Sequence, residues 1–131
     1  MSDDQIVQYC SPTLRDRKAG SLFAAEYRDK PALLKEIAEL NARLSGSRIR
    51  TMVLGYTRQK ALIYMYRPER LEKALKDSIA RKILERNGYN PAHTGESLLR
   101  LTERLRDYDQ FPHEIGLFPG YPSYEVAAFI K

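Results

Sequence analysis

Ile49-Arg50-Thr51-Met52-Val53-Leu54-Gly55-Tyr56-Thr57-Arg58-Gln59-Lys60-Ala61-Leu62-Ile63-Tyr64-Met65-Tyr66 is the stretch on which the fold turns. Its first run alternates, Ile49, Thr51 and Val53 against Arg50, Met52 and Leu54, which is the two-residue period of a strand with two different faces. Its second run, from Ala61 to Tyr66, is aliphatic or aromatic on both faces and so calls for cover on both sides, as a central strand has. Gly55 to Lys60 is short enough to close a hairpin, and the pair is expected to be antiparallel.

Toward the N-terminus, Leu33, Leu34, Ile37, Leu40 and Leu44 recur at helical spacing, with Pro31 suited to the first turn and Gly46 placed to end the helix. Ser21 to Tyr27 reads as the first strand. Asp3 is expected to cap a short helix that carries Ile6, Val7 and Cys10 on one face and stops at Ser11-Pro12. On the other side, Leu71, Leu75, Ile79 and Ile83 follow Pro68 and give one long helix, or two broken near Lys76-Asp77, that ends at Asn87-Gly88. Thr94 can cap a helix with Leu98, Leu101 and Leu105 as its buried stripe; Asp107-Tyr108-Asp109 then leads to a Pro/Gly-rich corner, and Tyr124 to Ile130 forms a last short helix. The expectation is an α+β fold: a small, largely antiparallel three-stranded sheet packed with several helices, and a helical C-terminal half. No repeat or linker divides the chain, so residues 1–131 read as one domain with one core.

With 43% hydrophobic and 30% charged residues the 131-residue chain is not a disordered tail. No apolar run approaches the roughly 18 residues of a membrane span, so no membrane partner is expected. An acidic N-terminus without a secretory pattern and a lone cysteine point to the cytoplasm. The net charge of +5 is scattered. Arg67, Arg70, Lys73, Lys76, Arg81, Lys82 and Arg86 are interleaved with Glu69, Glu72, Asp77 and Glu85, the pattern of a solvated helix face rather than a phosphate track, which puts nucleic acid last among partner classes.

Chemistry gathers in Phe111-Pro112-His113-Glu114-Ile115-Gly116-Leu117-Phe118-Pro119-Gly120-Tyr121-Pro122. Its prolines and glycines restrict the backbone, and Phe111, Ile115, Leu117 and Phe118 are expected to anchor a rigid, mostly buried corner. It holds His113, one of two histidines, beside Glu114, a pairing suited to proton transfer or ligand binding. Being adjacent, the two would point about 100° apart on a helix. A zinc helix would need a second histidine where Leu117 stands, so no metal is expected. The bland reading of His113 is a structural ring bonded to backbone, and that of Glu114 is an acid favoured at a helix start.

Cys10 could serve as a nucleophile if Arg15 or Lys18 lowered its pKa and His113 acted as base, although a lone cysteine on an apolar face reads first as core. Thr13 and Lys18 could grip an anionic group, and Tyr121 could stack on a flat ligand. Cysteine, histidine and tyrosine are all iron-ligand types, so haem is compatible, but these residues name no cofactor.

In chain order, Cys10-Ser11-Pro12-Thr13-Leu14, Lys18 with Leu22-Phe23, Leu62-Ile63-Tyr64-Met65-Tyr66-Arg67, His113-Glu114-Ile115-Gly116-Leu117-Phe118 and Gly120-Tyr121-Pro122 resemble the bacterial family DUF3793 over nearly the whole chain. The long final motif carries most of the likeness. The resemblance implies no activity or cofactor, since the family is a domain of unknown function. Pro119 departs from the aliphatic residue more usual in the family, and members usually continue past the helix that ends here, which leads us to expect that a C-terminal tail is missing. The leading functional expectation is a small-molecule or cofactor pocket formed by the Cys10–Lys18 segment and the His113–Tyr121 corner. An enzyme using Cys10 with His113, and a structural or protein-interaction domain, are its competitors.

Overall fold

The computed structural model describes residues 1–57, 59–107 and 111–130; Arg58 of the expected hairpin loop, Tyr108 and Asp109 of the entry to the corner, Gln110 and Lys131 lie outside the described residues. The fold is α+β: among the described residues, a three-stranded antiparallel sheet with six α-helices and one 3-10 helix, the C-terminal half being helical. The chain forms two compact units, Met1–Pro68 and Glu69–Lys131.

In the first unit the strands are β1 (Gly20–Glu26), β2 (Arg50–Tyr56) and β3 (Lys60–Tyr66), in the order β1-β3-β2. β3 is central, as its two apolar faces require, and pairs antiparallel with both neighbours: Ile63 stands opposite Phe23 on one side and Val53 on the other. A bulge between Val53 and Gly55 shifts the register of β2 near the hairpin. Ala61, Ile63 and Met65 meet Phe23 and Ala25 on one face, where α1 (Asp3–Leu14) adds Ile6 and Cys10 and α2 (Lys30–Arg43) adds Leu33, Ile37 and Leu40. On the opposite face Tyr64 is fully buried and stacked on Tyr66, with centroids 4.8 Å apart. Its ring lies over Gly20, where an added Cβ would fall 2.5 Å from a ring carbon, so only glycine fits beneath it.

α1 departs from its expected length. Ser2, not Asp3, is the N-cap, forming a capping box with Gln5, and the helix runs through Pro12 to Leu14. Proline removes the donor that would serve the carbonyl of Gln8, but Gln8 is exposed and water can take that place. The helix end is then held from outside: Arg67 donates to the carbonyls of Thr13 (2.8 Å) and Leu14 (3.1 Å) and to the Asp16 carboxylate (3.3 Å). Arg67 is therefore a half-buried cap for α1 rather than part of a solvated helix face. Val7 and Leu34, counted in the apolar stripes, are both more than half exposed, because each sits one residue beyond the core-facing position. α2 is capped by Asp29, which accepts from Ala32 N at 2.8 Å. The Asn41 side chain donates to the carbonyl of Thr51 (2.9 Å) and accepts from its amide (2.8 Å), covering part of the outer edge of the sheet.

The second unit is helical. α3 (Pro68–Lys76) and α4 (Ser78–Arg86) are separate, divided by Asp77, which caps α4 by accepting from Ala80 N. The break resets the apolar stripe to Ala80, Ile83 and Leu84 and leaves Ile79 40% exposed. α5 (Thr94–Asp107) buries Leu98 and Leu101. A one-turn 3-10 helix, His113–Leu117, and α6 (Ser123–Phe129) complete the unit, and both pack against α4.

Candidate functional site

The 3-10 helix decides what the corner presents. Three residues per turn align i with i+3, so His113 and Gly116 share one edge while Glu114 and Leu117 share another. Glu114 and Leu117 face inward and are buried, whereas His113 is exposed. The two adjacent polar residues thus diverge and do not form a joint acid–base pair.

Glu114 is 1% exposed and fully engaged. Arg104 of α5 meets it in a two-pronged bond, Nε to Oε2 at 2.7 Å and an Nη to Oε1 at 3.1 Å, and the Tyr89 hydroxyl donates to Oε2 at 3.0 Å. Arg104 also donates to the Asn87 side chain at 3.0 Å, which ties the α4–α5 connection to the same centre. Burial works to raise the carboxyl pKa, but the Arg104 bonds and charge, helped by a backbone bond and by Tyr89, outweigh it and hold the group below its ordinary range. Burial, and then the Glu114 charge, push the Tyr89 hydroxyl far up, so it remains a donor. Tyr89 packs in turn on Phe118, with centroids 6.1 Å apart. This is an internal tie that sets the rotation of the 3-10 helix.

On the outer edge lies a recess of about 340 Å³. Gly116 is part of its lining and packs closely on two other lining residues, since a Cβ there would stand 3.2 Å from Val126 and 3.6 Å from Tyr121. Phe111, His113 and Tyr121 surround it together with Glu125 and Phe129, which fall four residues apart on one face of α6. Gly120 takes φ +98°, a conformation that favours glycine, and the turn closes with the Tyr121 amide donating to the Gly116 carbonyl at 3.1 Å. Phe111, expected as a buried anchor, is 62% exposed at the rim; the anchoring falls instead to Leu117 and Phe118.

The remaining candidates belong to the first unit. Cys10 is completely buried, and burial pushes its thiol up to about 11, against smaller opposing pulls from the Ser21 hydroxyl and the Lys18 charge. Thr13 is also buried and shares a 2.6 Å hydrogen bond with Ser21, while its carbonyl accepts from Arg67. Lys18 is partly exposed. The structure brings His113 together with Tyr121 in one recess, and Cys10 together with Thr13 about Ser21. Glu125, Phe129, Arg104 and Tyr89 were missed in the sequence; the four-residue spacing of Glu125 and Phe129 beside a Pro/Gly corner was the one available signal. Among the described residues no three His, Cys, Asp or Glu side chains gather as a metal-ligand group, and no helix is long and apolar enough to cross a membrane.

The family model for DUF3793, a protein of unknown function, matches residues 6–131, and the chain belongs to that family. No curated protein and no solved structure matches it.

Proposed function

From a family whose description carries no activity, we propose a cytoplasmic small-molecule-binding domain whose ligand occupies the recess at the His113–Tyr121 corner. The observation that carries this reading is a concavity of about 340 Å³ ringed by Phe111, Tyr121 and Phe129, each more than half exposed. Its volume lies at the small end of the roughly 300–1,000 Å³ usual for ligand sites, and its mix of mostly apolar walls with a few polar groups is what such sites use. His113 and the Tyr121 hydroxyl supply hydrogen bonds. The Cys10–Lys18 segment contributes nothing to this reading, because Cys10 and Thr13 are committed to the interior of the sheet unit. A buried thiol pushed up to about 11 also favours a core role for Cys10 over a nucleophilic one.

The test is a fragment titration of the full chain followed by amide shifts in NMR. Small aromatic fragments should move the signals of Gly116, Tyr121, Val126 and Phe129 together. Shifts scattered over the surface, or none at this corner, would remove the reading.

A further inference from the structure

We infer that the recess takes a small organic cation, an alkylated ammonium group, held by ring faces and by one carboxylate. The inference rests on the reading that the recess is a binding site and goes beyond it by naming the chemical class of the ligand.

Among the described residues that line the recess, Glu125 is the one acidic side chain, in a chain whose 22 basic residues outnumber 17 acidic ones. No lysine or arginine stands among that lining. An anionic ligand would therefore meet a carboxylate with no lysine or arginine beside it among the described residues of the wall. Three aromatic rings border the same space, and the face of each carries the negative end of the ring quadrupole, which attracts a cation. A bare metal ion is a poor fit, because hard cations take six or more oxygen ligands and these walls are mainly carbon. An alkylated ammonium satisfies both parts of the lining: its methyl groups bury against Ile115, Val126 and the rings, and its spread charge faces Glu125. The spacing on α6 serves this directly, since Glu125 and Phe129 present carboxylate and ring to the same volume.

Choline and its uncharged isostere 3,3-dimethylbutan-1-ol, which differ in the quaternary nitrogen, separate the charge from the shape. Titrated into the full chain, choline should shift the amides of Gly116, Val126 and Phe129 and bind about tenfold tighter than the alcohol, the scale of a cation over aromatic faces. Glu125→Gln and Phe129→Leu should each weaken choline several-fold, and Glu125→Gln should weaken choline far more than the alcohol. Equal binding of choline and the alcohol would overturn the cation while leaving the recess a binding site. Binding of aromatic fragments at the corner without binding of choline would do the same. If neither probe nor any fragment perturbs the corner, the cation and the binding site fall together.

Discussion

Around Ile63 in the sheet unit, the interior is aliphatic and aromatic, and the core of α1, α2 and three strands is built from apolar contacts. Around Glu114 in the helical unit, burial is organised about a charge, with Arg104 and Tyr89 closing on a single carboxylate. Apolar packing is non-directional and holds elements together without dictating their rotation. A two-pronged guanidinium–carboxylate bond is directional, and replacing such a pair with apolar residues is often neutral for stability, so its use is better sought in geometry. Here that geometry turns the 3-10 helix so that Glu114 points in and His113 and Gly116 point out. One unit is thus a conventional scaffold, and the other carries a corner whose exposed edge is set from within.

The sharpest way to break this contrast is Arg104→Ala, which strands a buried carboxylate. We expect a loss of about 3–5 kcal/mol in urea denaturation, and much of it recovered in the double variant Arg104→Met, Glu114→Leu. If the single variant unfolds like the native chain, the charge-centred account of the helical unit is wrong. The same pair fixes a pH response. The folded-state pKa of Glu114 lies below its ordinary 4.5, so its contribution is full above that value and fades as pH falls through the lowered one. In Arg104→Met burial meets much weaker opposition and the carboxyl rises, so the part of the acid-induced stability loss that Glu114 contributes should shrink or vanish from the pH profile of the variant.

In the sheet unit the comparable probe is steric. Gly20→Ala places a methyl against the Tyr64 ring, and the overpacking should cost about 1–3 kcal/mol, read as a fall in melting temperature. Amide exchange should be slowest at Leu62 to Tyr64, on the strand bonded from both sides; faster exchange there than at Leu22 to Ala25 would contradict the central placement. For Cys10 the probe is chemical. With its thiol pushed up to about 11, an alkylating reagent at neutral pH should label it only in denaturant, and rapid native labelling would revive the enzyme reading.

The smallest stability effect is expected at His113→Gln. An exposed ring on the outer edge of the 3-10 helix should change stability by no more than about 0.5 kcal/mol, while fragment binding at the corner weakens. A marked drop in melting temperature would assign the histidine to the scaffold and not to the recess.

The amino-acid sequence by itself determined the sheet. Ile49 to Tyr66 carries two strand patterns and a hairpin length within one local stretch, and a strand apolar on both faces has to be central wherever its partners lie. The α2 stripe was legible for the same reason, since periodicity and capping act within a few residues, whereas the break at Asp77 was one of two readings that the sequence left open. The corner was legible as a corner, through its prolines and glycines, but its inside and outside were not. Whether Glu114 faces in depends on Arg104, ten residues away, and on Tyr89, twenty-five residues away. Phe111 reads as an anchor by composition and stands at the rim because Leu117 and Phe118 already fill the interior. Likewise Pro12 would end a helix judged locally, yet α1 continues because Arg67, more than fifty residues on, holds its last carbonyls. Directional bonds between distant residues leave no period in the sequence, and only the tertiary structure decided which polar groups are structural ties and which line the recess.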